Sequence, residues 1–253
     1  MTKARTKRIL RYHHACAMIA VVVAVSTTSL PASAAVTTNP TTAQQDLAKI
    51  RSATQQGKPI PTEALQEPMA RVMAKVTNAV AADTRAFGAE YRAAGIDEVI
   101  DFDGITPTSP LLDHCDRMGA LAARADAVSK RYPDYIALLR REAQVEVDAH
   151  HLTPQDVVDS AAGFSEARPT FEQRWTLLGR LTHDVGALCT VLARRHWRTG
   201  STGELEIQDP TDAAEVGRLG LSLQDEMSQL AEIEKTGKAA AEEEARKLET
   251  RAH

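Results

Sequence analysis

Residues 170–197 read TFEQRWTLLGRLTHDVGALCTVLARRHW, and this stretch decides the fold class. Its apolar side chains recur at steps of three and four residues: Phe171, Trp175, Leu178, Val185, Leu188 and Leu192. That period places them on one stripe of an α-helix that faces a core. Thr170 and Gln173 have the spacing of a helix-capping pair. The stretch therefore predicts an amphipathic helix that begins at Thr170 and ends near Trp197.

The same periodicity extends on both sides of this stretch. It predicts helices over 42–56, 62–93, 110–132, 133–149 and 154–163, and a last helix from 209. Two starts have capping signals, Ser109-Pro110 and Thr153 with Asp156, whereas Pro68 favours a later start for the second helix. Only 204–207 indicates extended backbone. Short connections favour antiparallel neighbours, so the sequence predicts an all-α, antiparallel bundle of six or seven amphipathic helices.

The first 34 residues have the features of a cleaved secretory signal peptide. Five basic residues and no acidic residue lie before an apolar run over 15–25. After this run, Ala32-Ser33-Ala34 supplies the small residues that a signal peptidase requires for cleavage after Ala34. A retained membrane anchor is the alternative, but a spanning helix needs about 20 apolar residues. The sequence predicts a periplasmic or secreted protein with no stable membrane anchor after cleavage.

Removal of the leader changes the charge of the chain. The whole chain has 30 basic and 34 acidic residues. The five basic residues of the leader leave 25 basic and 34 acidic residues in the mature chain, a net charge of −9. A nucleic-acid partner requires a positive surface, so none is expected.

Two cysteines remain after cleavage, because Cys16 belongs to the leader. An even cysteine count in an exported protein predicts a disulfide, here Cys115 with Cys189. It would connect the 110–132 helix to the 170–197 helix and stabilise the fold by about 4.5 kcal/mol in the chain-entropy model. Two buried free thiols are the alternative.

The remaining organisation follows from composition. Residues 35–41 are predicted to be a polar linker, 42–197 a helical bundle, 198–208 a Gly/Ser/Thr-rich flexible linker, and 209–253 a C-terminal helix with a solvated charged tail. The last helix has an apolar stripe: Val216, Leu219, Leu223, Met227, Leu230 and Ile233. We expect the face of 209–233 to pack on the bundle or to bind a protein partner in a coiled-coil manner. The oligomeric state stays open.

Motifs with an established chemistry are absent from the sequence. It contains no glycine-rich phosphate loop, no G-x-S-x-G, no H-E-x-x-H and no C-x-x-C. No catalytic residue, metal or cofactor is predicted. The first hypothesis is thus a non-enzymatic binding or scaffold role in the periplasm.

One cluster is a candidate contact site for a ligand or a partner. Trp197 follows Arg194, Arg195 and His196 at a predicted helix end. An aromatic ring among basic side chains is suited to an anionic ligand or to a partner helix. Alternatively, Trp197 caps the helix while the arginines extend along the surface.

Two further hypotheses stay open. A small-ligand or soft-metal site would use Cys115, Met118 and Cys189 with His183, although His183 and Cys189 fall on different faces of one helix. An enzyme with a spatially assembled site would use His114, His183 and nearby carboxylates, with no reaction class indicated. Glu142 and Glu146 share a helix face, which we interpret as a solvated acidic face.

Overall fold

The computed structural model of the protein describes residues 40–101, 105–200 and 205–251. The predicted leader over 1–34 and most of the linker over 35–41 lie outside these ranges. The described chain is mainly helical, as predicted, with seven helices of 13 or more residues and one helix of six. The helices are α1 (Pro40–Gln55), α2 (Pro68–Ala93), α3 (Ile96–Asp101), α4 (Asp116–Ser129), α5 (Tyr132–Asp148), α6 (Pro154–Glu166), α7 (Arg168–Ala193) and α8 (Pro210–Arg251). None of these helices is long and apolar enough to cross a membrane.

Helix α2 begins at a proline, where the missing N–H removes no helical hydrogen bond. A 3-10 turn, Thr62–Ala64, precedes it, so the predicted start at 62 is six residues early. The carboxylate of Asp46 accepts hydrogen bonds from the backbone N–H groups of Gln66 and Glu67, at 2.7 and 2.8 Å. The donors just before α2 are therefore satisfied by a side chain of α1, which no local motif announces.

The predicted helix start at Ser109-Pro110 is wrong. Pro110–Asp113 forms a 3-10 turn, and α4 begins only at Asp116. The hydroxyl of Ser109 accepts a hydrogen bond from the backbone N–H of Thr106 at 2.9 Å, so it stabilises the preceding turn instead of capping a helix. By contrast, Thr153 and Asp156 form the predicted capping box at the start of α6.

The predicted ends of α7 are also wrong. The helix begins at Arg168, so Thr170 lies within it, and it ends at Ala193, before Arg195 takes a φ of 60°. Trp197 lies instead in a short strand, β1 (Trp197–Thr199), which pairs antiparallel with β2 (Leu205–Ile207). The predicted linker over 198–208 thus contains paired strands. The extended backbone predicted over 204–207 is confirmed for Leu205–Ile207, whereas its pairing with β1 was not predicted, because strands of three residues are too short to give a periodic signal.

The residue contacts divide the chain into two compact units. Within the described ranges, unit 1 contains 87–127 and 175–231, and unit 2 contains 40–86, 128–174 and 232–251. Helices α2, α4, α7 and α8 contribute residues to both units. Both tryptophans of the chain, Trp175 and Trp197, belong to unit 1.

In unit 2, ion pairs connect α2 to α5 and set these helices antiparallel. Arg71 donates to Glu146 at 2.8 Å and Lys75 to Glu142 at 2.9 Å, while Asp83, later in α2, binds Arg131 just before α5. The glutamate side chains are only 13% and 18% exposed, so the predicted solvated acidic face is wrong. The hydrogen bond from Arg71 lowers the pKa of Glu146, and the one from Lys75 lowers the pKa of Glu142.

The core of unit 2 is aromatic at its centre. The ring of Tyr132 stacks on Phe164 with centroids 5.1 Å apart, and its hydroxyl donates to the carbonyl of Phe164. The hydroxyl of Tyr135 donates to Asp83 at 2.5 Å. Burial raises the pKa of both hydroxyls. Each buried O–H group therefore has an acceptor, as a close-packed core requires.

In unit 1, α4 and α7 pack closely and antiparallel. A Cβ atom at Gly186 would lie 3.4 Å from the Cβ of Met118, and one at Gly179 would lie 3.6 Å from the Cβ of Ala125. Cys115, just before α4, is bonded to Cys189 of α7, so the predicted disulfide is present. It connects the two helices at the end where α4 begins.

Candidate ligand-binding groove

Helix α8 packs on α7 within unit 1 through polar contacts and its apolar stripe. Arg194 donates to Asp212 at 2.5 Å, close to where α8 begins. The stripe of 209–233 is largely buried in the chain: Val216, Leu219, Leu223 and Leu230 are at most 5% exposed. The apolar face of 209–233, which could pack on the bundle or bind a partner according to the sequence, is therefore largely buried within the chain. The one large apolar side chain of this helix that is strongly exposed, among those described, is Leu221 at 70%.

A groove of about 570 Å³ lies among α4, α7 and α8 in unit 1. This volume is within the roughly 300–1,000 Å³ that is typical of small-molecule sites. The lining side chains come from all three helices: Ala122, Asp126, Trp175, Thr176, Gly179, Arg180, His183, Asp184, Ser222, Asp225, Glu226 and Gln229. Most of them are polar, so the groove is suited to a polar ligand.

Glu226 is the most unusual group in this groove. The residue is only 6% exposed, and its Oε2 atom is buried without a hydrogen-bond partner. Burial, together with the charge of Asp184, raises the pKa of Glu226 to about 7. An acceptor that is buried and unpaired costs free energy, typically about 1–3 kcal/mol. A ligand that donates a hydrogen bond to Oε2 would recover this free energy.

The other charged side chains of the groove make it acidic. Asp126, Asp184 and Asp225 line it together with Glu226, against one arginine, Arg180. The ring of His183 faces the neighbouring carboxylate, with Nδ1 3.1 Å from Oδ1 of Asp184. A concave surface with an excess of carboxylates attracts positive charge.

The apolar part of the wall is rigid. Trp175 is 2% exposed, and its ring meets that of Phe87 edge to face, with centroids 5.1 Å apart. Gly179 lies one turn further along α7, where its missing side chain lets α4 approach. A buried aromatic ring beside carboxylates gives the groove one apolar surface in a polar wall.

The soft-metal hypothesis loses its ligands in this structure. Cys115 and Cys189 are bonded to each other, so neither offers a thiolate, and Met118 is fully buried. His183 lies in the groove instead, away from the proposed set. Across the residues that the structure describes, no group of three or more His, Cys, Asp or Glu side chains could hold a metal ion.

The predicted contact cluster at 194–197 is used for internal contacts. Trp197 is 5% exposed, and its indole N–H donates to the carbonyl of Leu192 at 2.7 Å. Arg195 donates to Asp113 at 2.8 Å, and His196 lies 3.0 Å from Asp212. With Arg194 also bound to Asp212, these contacts favour the alternative in which Trp197 closes the helix end and the arginines extend along the surface.

The histidines of the enzyme hypothesis lie at different places. His114 is exposed at the end of the 3-10 turn before α4 and does not line the groove. His183 does line it. The structure therefore brings one of the two predicted histidines to the carboxylates of the groove.

Sequence analysis missed Glu226, although a signal for it exists. The residue lies three positions after Leu223 and four before Leu230, so it falls on the apolar stripe of α8. The predicted stripe includes Met227 instead of Glu226, although Met227 is only half-buried. A carboxylate on a buried helix face is the pattern that indicates a functional group or an internal ion pair.

No protein family model, no curated protein and no solved structure matches this chain.

Proposed function

We propose that the protein is an exported, non-enzymatic binding protein that takes a small polar ligand into the groove of unit 1. The observation that carries this proposal is Glu226, whose buried Oε2 lacks a partner in a groove of ligand size. The mostly polar lining, which includes three further carboxylates and Arg180, is suited to a small polar ligand.

Export is supported by two independent features. The predicted signal peptide over 1–34 would direct the chain to the export machinery. The Cys115–Cys189 disulfide is typical of proteins that fold outside the reducing cytoplasm. We place the mature protein in the periplasm or outside the cell.

The scaffold version of a binding role has weaker support. It would use the apolar face of 209–233, and four positions of that face are already buried in the chain. The groove, by contrast, has exposed lining residues, among them Thr176, Arg180 and His183. The enzyme hypothesis stays a prediction without a reaction class.

Ligand-observed NMR on the full, disulfide-bonded chain tests the proposal. Saturation-transfer spectra are recorded for a library of cationic, neutral and anionic small polar compounds. Thr176 is exposed and lines the groove, so Thr176→Phe fills the groove at little cost to folding. Thr190→Phe is the matched control, because Thr190 is exposed on the same helix but lies outside the groove.

We expect at least one compound to bind the wild type and Thr190→Phe but not Thr176→Phe. A library in which no compound shows binding sensitive to Thr176→Phe would refute the proposed function.

A further inference from the structure

We propose that the ligand of this groove is a small organic cation that carries N–H donors, such as a primary diamine, held by the carboxylate of Glu226. This inference rests on the proposed function, since it names the chemical class of the ligand. It commits to a free small molecule because the groove has the volume of a small-molecule site, about 570 Å³.

The charge of the groove requires a cation. Four carboxylates line it, those of Asp126, Asp184, Asp225 and Glu226, and they outnumber the guanidinium of Arg180. An anionic ligand would add to this repulsion in a partly desolvated cleft, where charges are poorly screened. A positive ligand relieves the repulsion between Glu226 and Asp184, which is one cause of the raised pKa of Glu226.

The unpaired Oε2 atom of Glu226 favours a ligand with a hydrogen-bond donor. Oε2 of Glu226 is buried and has no partner, so the ligand that satisfies it must bring an N–H or O–H group. A hydrogen bond from an ammonium to a carboxylate is charge-assisted and about twice as strong as a neutral one. A quaternary ammonium has the charge but no donor. We therefore expect primary amines to bind and tetramethylammonium to bind far more weakly.

The wall of the groove favours an organic cation over a metal ion. No three potential metal ligands converge among the described residues, whereas a divalent cation takes six or more oxygen ligands or four tightly placed ones. The buried ring of Trp175 lines the same groove. This part of the wall offers a metal ion no oxygen or nitrogen acceptor as a ligand, because an indole is a donor only.

Binding of the cation is coupled to loss of a proton from Glu226. The groups that face Glu226 are Arg180, His183 and Asp184 from α7, Asp225 from α8 itself, and Asp126 from α4. The ligand needs the ionised carboxylate, while without a ligand the raised pKa of Glu226 keeps a proton on it up to about pH 7. Affinity should then rise with pH and level off above pH 7, with about a tenfold difference between pH 6 and pH 8.

Calorimetry with four-carbon probes tests this inference. Putrescine, 1,4-butanediol and succinate share one chain length and differ in charge, and tetramethylammonium adds a cation without donors. Each is titrated into the full chain at pH 6, 7 and 8, and into Glu226→Gln. Glu232→Gln is the control, since Glu232 lies on the same helix, is 68% exposed and is outside the groove.

We expect putrescine to bind wild type and Glu232→Gln alike, and Glu226→Gln at least tenfold more weakly. Asp184→Asn provides a second variant if Glu226→Gln does not fold, and it should weaken putrescine binding severalfold. His183→Asn should retain the pH dependence, because the proton belongs to Glu226. Equal binding of putrescine to Glu226→Gln, or tetramethylammonium binding as tight as putrescine, would overturn the inference.

The two proposals fail in different ways. If succinate or butanediol binds, is blocked by Thr176→Phe, and putrescine does not bind, the cation inference is wrong and the binding function stands. If no compound of any charge binds in a way that Thr176→Phe blocks, both proposals are wrong.

Discussion

Glu226→Gln should make unit 1 more stable at neutral pH and leave its stability unchanged in acid. The folded protein raises the pKa of this carboxyl from its ordinary 4.5 to about 7, because the side chain is buried near Asp184. Below pH 4.5 the group is protonated in both the folded and the unfolded chain, so it costs nothing. Between pH 4.5 and 7 the unfolded chain ionises first, and stability falls. Above pH 7 both states are ionised, and the accumulated cost is about 3 kcal/mol.

The variant removes this cost, because an amide of the same shape does not ionise. We therefore expect the free energy of unfolding of Glu226→Gln to exceed that of wild type by about 3 kcal/mol at pH 8 and to equal it at pH 4. Urea unfolding monitored by tryptophan fluorescence reports unit 1, since both tryptophans belong to it. Glu98→Gln, at an exposed position of unit 1, should change stability by less than about 0.5 kcal/mol at either pH. A variant that is less stable at pH 8, or a difference that does not depend on pH, would refute this reasoning.

Three further predictions concern the contacts that hold each unit. Reduction of the Cys115–Cys189 disulfide should lower the free energy of unfolding by about 4.5 kcal/mol, measured by tryptophan fluorescence with and without reductant. A double-mutant cycle on Arg71 and Glu146 should give a coupling of about 1–2 kcal/mol at pH 7, measured by hydrogen exchange in α5. In an alkaline titration followed at 295 nm, the Tyr132 hydroxyl should ionise only when unit 2 unfolds, because burial raises its pKa.

Each of these has an outcome that contradicts it. An unchanged urea midpoint after complete reduction would show that the disulfide does not stabilise unit 1. The pKa of Glu146 is lowered by Arg71, so its contribution is present above about pH 4.5 and is lost as the pH falls through the lowered value. A coupling that persists at pH 2, or one no larger than that of the exposed pair Lys235 and Glu232, would contradict a specific ion pair. Ionisation of Tyr132 in the folded protein near pH 10 would show that the ring is accessible.

The sequence predicted the helices because their signal is local and repeated. The stripe over 171–192 and the capping box at Thr153 determine α7 and α6 from neighbouring residues alone. The disulfide followed from cysteine count and compartment, with no need for geometry. These features depend on short-range order, which periodicity reports directly.

What the sequence did not predict depends on contacts between distant residues. The donors before α2 are satisfied by Asp46, about 20 residues away, and Glu146 is paired with Arg71 at a separation of 75. Carboxylates at such positions look solvated until the partner helix is known. The short β-hairpin after α7 is stabilised by pairing of Trp197 with Ile207 rather than by any pattern within a strand.

The groove belongs to this second class. Glu226 and Asp184 are on different helices, and only the antiparallel packing of α7 and α8 brings them to one wall. The chain keeps a costly buried carboxylate at a position where an amide should be more stable. Stability sacrificed at one position is a common sign of function.

The most direct test of a cation-binding groove is a ¹³C NMR titration of the Glu226 side-chain carboxyl, with and without saturating putrescine. The account predicts a pKa near 7 in the free protein and a marked fall when putrescine is added, because the ammonium favours the ionised carboxylate. A titration curve that putrescine does not move, in a protein that retains its disulfide and its fold, would contradict the account.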